Sequence, residues 1–436
     1  MKLAFYTLGC KLNQAETESL ASRFSEAAFE LVPPDDGADI YIANTCTVTH
    51  IADRKSRHWL RLAKRRNPQA LVIATGCYAQ RSRQDLAGLA DLVVDNQQKD
   101  SLPEIVRHLS LPVLPYTSGG TLLHHSEAQS NRRQPISTYT APTRVRSLIK
   151  IQDGCHSPCA YCIVPRVRPQ EYSVPTARII DEVKQKVALG YKEVVLTGTK
   201  IGMYRDGGTD LEDLVRRILS NTSIKRLRLS SLQPAEITPQ FLALWHDERL
   251  GRHFHLALQS GSETVLRRMR RGYSLDQYRK TVDLVRQIPG AAITTDIMVG
   301  FPGESDEEFE QSYSFCQQAG FANIHVFPFS ARPNTAAAAT ADRTDDRVKK
   351  KRNQRMLGLS QSSRRRFYEQ FLGRIMPVLW EKETKPSSGT YSGLTSNYIR
   401  VFAHSQKHLS NEITPARLLG LDARGMWGEI IDGNSS

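Results

Sequence analysis

Cys155, Cys159 and Cys162 stand in the run Cys155-His156-Ser157-Pro158-Cys159-Ala160-Tyr161-Cys162, a C-x-x-x-C-x-x-C spacing. Three thiolates this close can ligate three irons of a four-iron cluster. Such clusters ordinarily take four cysteines. One iron is then left open to a small molecule, and the cluster can act as a reagent rather than as an electron wire. The alternative is a zinc knuckle completed by His156 or a distant residue. Zinc sites more often use paired C-x-x-C units, and the chain has no second pair.

Three further cysteines each follow a short apolar run of strand length. Cys10 comes after Lys2–Leu8, Cys46 after Asp39–Ala43 and Cys77 after Ala70–Ala74, and helical patterns follow each. In a parallel sheet all three would emerge at the carboxyl ends of strands, the edge where ligands bind. A lone cysteine there is commonly a buried small hydrophobe, but three at equivalent places suggest a second metal or cluster site. Cys316, in the helical stretch Phe309–Gly320, reads as core.

The elements that position these groups fall into an α/β multidomain chain. Residues 1–113 read as an α/β domain with a parallel sheet. Residues 114–143, rich in Ser, Thr, Gly and Gln, read as a linker. Residues 144–370 restart the β/α rhythm, with strands expected at Ser147–Gln152, Glu193–Thr197, Arg226–Ser230, His253–Gln259, Ile293–Val299 and Ile324–Phe329. Six units are too few to close the eight-stranded barrel, so an incomplete, laterally open (β/α)6 barrel is expected. The rim of strand ends offers Thr197 and Gly198 for a cofactor's amino-acid portion. Gln259, Ser260 and Asp296 are offered for its ribose or carboxylate. Residues 371–436, with β-like runs Ile375–Trp380, Tyr398–Phe402 and Trp427–Ile431, suit a small β-barrel.

The net charge is +14 in 436 residues, which calls for a polyanionic partner. One basic cluster holds Arg54, Lys55, Arg57, Arg61 and Lys64 on the helix after Cys46. Another, with Lys349, Lys350 and Arg352, lies on a helix from about 344 to 366. Such residues bind phosphates without reading sequence. No run of about 18 apolar residues occurs, so no membrane partner is expected. The odd cysteine count on a long chain argues against a disulfide framework, and a reducing cytoplasm is the expected location.

The Cys155–Cys162 run resembles the signature of radical S-adenosylmethionine enzymes. With Cys10, Cys46 and Cys77 the chain is similar to the methylthiotransferases. Phe371-Leu372-Gly373 and Gly393-Leu394-Thr395-Ser396-Asn397-Tyr398 resemble a TRAM domain, an RNA-binding module. Gly9-Cys10-Lys11-Leu12-Asn13-Gln14, Asn44-Thr45-Cys46-Thr47-Val48-Thr49, Ala52-Asp53-Arg54-Lys55-Ser56-Arg57 and Ile151-Gln152-Asp153-Gly154-Cys155 look like the MtaB type. That resemblance implies a tRNA methylthiotransferase acting at carbon 2 of N6-threonylcarbamoyladenosine beside the anticodon. It implies two 4Fe-4S clusters, with Cys155, Cys159 and Cys162 holding the one that binds S-adenosylmethionine and Cys10, Cys46 and Cys77 holding an auxiliary one. S-adenosylmethionine would be radical source and methyl donor. Partners would be the tRNA anticodon arm, a reducing protein as electron donor and a sulfur donor. Sister types act on isopentenyladenosine or on an aspartate of a ribosomal protein. A reading of another class is a non-catalytic RNA-binding iron–sulfur protein. The chain departs from the family pattern at Val167-Arg168-Pro169, Ser173-Val174-Pro175 and Asn334, so substrate contacts are not carried over to Arg166, Arg168 or Arg332.

Overall fold

The structure, a computed structural model, describes residues 1–110, 145–340 and 344–431. The expected linker at 114–143 lies outside the described residues. The first part is a five-stranded parallel sheet of β1 (Lys2–Thr7), β2 (Glu30–Leu31), β3 (Ile40–Thr45), β4 (Leu71–Gly76) and β5 (Leu92–Val93), in the order β2-β1-β3-β4-β5. Strand β3 is buried along its whole length, as the centre of a two-sided parallel sheet requires. Helices Lys11–Glu26, His50–Arg66, Cys77–Arg81 and Leu102–Ser110 cover it. The Thr49 side chain accepts from Ala52 N at 3.1 Å and starts the second helix, whose last turn carries Lys64, Arg65 and Arg66 against the helix dipole.

The middle part begins with β6 (Arg146–Asp153), the short antiparallel β7 (Tyr172–Ser173) and β8 (Glu193–Gly198). A small hairpin, β9 (Arg205–Asp206) and β10 (Thr209–Asp210), precedes β11 (Arg226–Leu229) and β12 (Ser231–Leu232). Then come β13 (His253–Leu256), β14 (Ala292–Val299) and β15 (Asn323–Pro328). The strands form two four-stranded sheets, β11-β8-β6-β7 and β12-β13-β14-β15, parallel except for β7. They divide at Ser230, between β11 and β12. The expected strands lie within two residues of the observed ones, except that β13 stops three short at Leu256. The outer edge strand β15 is covered by the helix Asp346–Glu369, where Ile324 N donates to Ser360 Oγ at 3.1 Å.

Alternation along these strands sorts their side chains. Ile149, Ile151, Val194 and Leu196 join the large core under the surrounding helices. Leu148 and Val195 point the other way and pack on Ala15 of helix Lys11–Glu26. That helix therefore lies along the inner face of the open barrel, and Leu148 N donates to Glu18 Oε2 at 3.2 Å.

The last part is a closed barrel of β16 (Ile375–Glu383), β17 (Thr390–Thr395), β18 (Arg400–His404), β19 (Ile413–Asp422) and β20 (Gly425–Ile430), in the order β16-β17-β18-β20-β19. Its core around Trp380, Val401 and Met426 continues into Ala292, Ala322 and Phe367 of the middle part. Arg228 fixes the junction, donating to Ser396 O and Thr395 O at 2.6 Å each while its Nε reaches Glu193 at 2.8 Å.

Candidate active site

The three closely spaced cysteines occupy the loop after β6. Gly154, at φ +78°, begins it, and a Cβ there would sit 2.0 Å from Gln170 O. Only glycine fits that turn. Ser157 N donates to Cys155 Sγ at 3.4 Å, and Arg271 Nη1 donates to Cys159 Sγ at 3.3 Å. Burial pushes the Cys162 thiol up to about 12, and the neighbouring Cys159 and Cys155 add to the rise.

Cys10, Cys46 and Cys77 follow three adjacent strands, β1, β3 and β4. Strand adjacency brings together residues more than sixty positions apart. Burial raises the Cys10 thiol and Cys77 raises it further; burial takes Cys46 to about 12, with Cys77 and Cys10 adding to it. Gly9, at φ +103°, lies so close that a Cβ would be 2.8 Å from Cys46 Cβ and 2.9 Å from its Sγ. Gly76, at φ +95°, plays the same part before Cys77, with Thr45 O 2.4 Å from a would-be Cβ.

All seven cysteines are free thiols, and Cys316 is fully buried in the helix Asp306–Ala319. Among the described residues no three His, Cys, Asp or Glu side chains converge as a single metal ion requires. Ligands of a four-iron cluster bind separate irons and need not converge on one point. The donor chemistry fits such a group in both places. Each set is three thiols with cationic company, Arg271 at Cys159 and the charge of Arg168 near Cys10 and Cys77. One buried carboxylate oxygen, Glu236 Oε1, has no partner. It lies in the field of Lys200, Arg205 and Arg271.

A buried ion network joins the two sets. Arg168 donates to Asp153 Oδ2 at 2.7 Å, beside the Gly154 turn, and to Glu16 Oε1 at 2.8 Å and Asn13 Oδ1 at 2.9 Å on helix Lys11–Glu26. Lys99 reaches Glu16 at 2.6 Å, and Lys150 reaches the same carboxylate at 3.6 Å. A second latch is Arg332, which donates to Asp53 Oδ2 at 2.8 Å and Thr47 O at 3.0 Å next to Cys46. Arg168 and Arg332 are thus interior ties between the first two parts of the chain. Both guanidiniums are engaged by these interior partners and neither lines the cavity between the three parts.

One cavity of about 640 Å³ opens between all three parts. Cys10 and Lys11 line it from the first, Thr197, Gly198 and Asp296 from the second, and Tyr398, Arg400 and Arg424 from the third. Three of the five expected cofactor residues are therefore assembled. The other two, Gln259 and Ser260, do not line it. Gln259, at φ +73°, exchanges backbone hydrogen bonds of 2.8 Å with Asp296 and Met298. Ser260 is fully buried, with its hydroxyl 3.0 Å from Ser312 Oγ. The sequence reading missed His253, His255 and His325, which also line the cavity. His255 Nε2 is 3.2 Å from Asp296. Burial lowers His253 and His325, and nearby positive charge lowers them further. A signal was present: His253-Phe254-His255-Leu256 and Asn323-Ile324-His325-Val326 alternate polar and apolar residues along strands.

Of the basic residues, Arg54, Lys55, Arg61 and Lys350 face solvent. Arg57 is half-buried against the Tyr78 hydroxyl, Lys64 pairs with Asp91 at 2.6 Å and Lys349 with Asp346 at 3.0 Å. Arg352 departs from expectation. It is buried, 2.7 Å from Glu304 and 2.8 Å from Asp306, and ties its helix to the barrel instead of facing a polyanion. No helix among the described residues is long and apolar enough to cross a membrane.

Residues 149–316 match the Radical SAM superfamily, and residues 2–95 match a family described as Uncharacterized protein family UPF0004. A Radical SAM domain uses an iron–sulfur cluster and S-adenosylmethionine, and Cys155, Cys159 and Cys162 lie inside the matched span. Among solved structures, the radical S-adenosylmethionine methyltransferase TsrM of Kitasatospora setae, with cobalamin and a [4Fe-4S] cluster, superposes with TM-score 0.55. It is 14% identical over 77% of each chain, a likeness of fold. The tRNA-2-methylthio-N(6)-dimethylallyladenosine synthase of Syntrophotalea carbinolica is 30% identical over 98% of this chain and 100% of its own. The threonylcarbamoyladenosine tRNA methylthiotransferase MtaB of Aquifex aeolicus is 37% identical over 94% of this chain and 98% of its own. With the cysteine sets, the open barrel and the terminal β-barrel all in place, the chain belongs to the MtaB-type family of radical S-adenosylmethionine methylthiotransferases.

Proposed function

We infer that this protein is a tRNA-modifying enzyme that replaces the hydrogen on carbon 2 of N6-threonylcarbamoyladenosine with a methylthio group. The observation that carries the reading is the single cavity shared by Cys10, the barrel rim and the terminal barrel. A base held there would meet Cys10, the barrel rim and the terminal barrel together, although Cys155, Cys159 and Cys162 are not among the lining residues. Carbon 2 bears no acidic proton, so general bases alone offer no route to it. When bound, S-adenosylmethionine and the two clusters supply a hydrogen-abstracting radical, sulfur and a methyl group. Cys155, Cys159 and Cys162 would hold the first cluster, and Cys10, Cys46 and Cys77 the second. Thr197, Gly198 and Asp296 would orient the cofactor from the rim.

The base must leave its stack to enter the cavity. Arg54, Lys55 and Arg61 on the first part, Lys350 beside the barrel and the terminal barrel would hold the anticodon arm through its phosphates. A reducing protein and a sulfur donor complete the partner set. A reducing cytoplasm suits seven free thiols.

The test is mass spectrometry of tRNA nucleosides from cells lacking the gene, with and without this chain restored. Return of 2-methylthio-threonylcarbamoyladenosine is the expected result. Return of the isopentenyl analogue alone would keep the chemistry and overturn the nucleoside. Neither product, with normal expression of a folded chain, would overturn the tRNA reading in favour of a ribosomal-protein substrate or a non-catalytic role.

A further inference from the structure

The lower wall of the shared cavity carries more positive charge than its own carboxylates neutralise. Three cations surround the Tyr398 ring, and two more share their carboxylates. Lys11 Nζ is 5.8 Å from the ring centroid, the Arg146 guanidinium 5.9 Å and that of Arg228 4.1 Å. Arg226 and Arg228 share Glu193, while Arg146 and Arg400 share Glu381 at 3.0 and 2.7 Å. Two carboxylates therefore serve four guanidiniums, and Lys11 has no carboxylate partner among the described residues. Asp296, on the far wall, is already engaged by His255 at 3.2 Å.

We propose that Lys11, Arg146 and Arg400, which line the cavity together with Tyr398, receive the carboxylate of the threonylcarbamoyl group and so select the substrate. The proposal rests on the function inferred above and adds the residues that read the base's substituent. Half-buried cations that outnumber their carboxylates are short of counter-charge, and an anionic ligand entering the cavity supplies it. An apolar dimethylallyl group could not. Spacing agrees as well. Lys11 is the residue after Cys10, so the ammonium lies one side-chain reach from the sulfur site. Tyr398 is held at φ +65°, an uncommon setting for a residue with a side chain. The strained turn places its ring where the cations converge.

The experiment uses the full chain, anaerobically reconstituted, and two anticodon stem-loop RNAs. They are identical except that one carries N6-threonylcarbamoyladenosine and the other its uncharged methyl ester. Wild type is expected to bind the acid at least about tenfold more tightly, the scale of a charge-assisted contact. Lys11→Met and Arg400→Gln should bring the acid-to-ester ratio toward one, and Lys11→Arg should retain it. Equal binding of acid and ester by wild type would overturn the proposal. So would variants that weaken both RNAs alike, since the cations would then be holding backbone phosphates. Product analysis on the acid RNA separates the two readings. Methylthiolation without acid-over-ester preference ends this proposal and leaves the function standing, whereas preference without methylthiolation points to failure of the function.

Discussion

The two cysteine sets reach similar chemistry by opposite routes. Cys155, Cys159 and Cys162 occupy one short loop, and their spacing alone announces a cluster. Cys10, Cys46 and Cys77 have no local motif; the adjacency of β1, β3 and β4 creates the site. A local motif carries its own geometry wherever the loop is placed. A dispersed set exists only while the sheet register holds, so its glycines and domain ties matter more.

The sharpest test of that contrast is Cys159→Ala, expected to abolish both cofactor cleavage and methylthio product in a reconstituted assay. Cys46→Ala should abolish product while cofactor cleavage persists. Loss of cleavage in a folded Cys46→Ala chain would break the division of labour between the sets. Gly9→Ala comes next. Its Cβ would collide with Cys46 and its backbone sits at φ +103°, so the chain should lose the dispersed site only, about half its iron after reconstitution. Full iron content would show that the sheet tolerates a shift there.

The smallest effect concerns Arg168, which ties the sets together. Arg168→Gln leaves Glu16 and Asp153 short of a buried partner and should cost about 3 kcal/mol in denaturant unfolding at neutral pH. Burial would raise the Glu16 carboxyl, but Lys99 and Arg168 hold it well below its ordinary 4.5. Such a group adds stability that is complete above 4.5 and is lost as pH falls below it toward the folded value. The variant should therefore lose less on acidification below 4.5 than the wild type does. An unchanged midpoint at neutral pH would mean that the two parts do not depend on this tie.

Much of this was readable beforehand because it is local. Strand periodicity located the barrel strands, and strand-end position pointed to Thr197, Gly198 and Asp296. What the sequence hid depends on distant partners. Arg352 looked like one more cation in a basic helix, but its partners Glu304 and Asp306 lie more than forty positions away. Two strands of the terminal barrel escaped notice for a related reason. Thr390–Thr395 contains Gly393, where a Cβ would sit 2.5 Å from Val378 Cγ1, and Ile413–Asp422 contains Pro415 and a bulge before Gly420. Close packing, not strand propensity, chose those residues. The cavity histidines were hidden less by distance than by attention to strand ends over strand faces.

Helix Lys11–Glu26 begins at the residue after Cys10 and packs through Ala15 on the inner face of the barrel. Helix and thiol are one stiff piece of chain. A substitution that shifts the helix on Leu148 and Val195 therefore shifts Cys10 as well, so packing inside the barrel sets where the first thiol of the dispersed set stands.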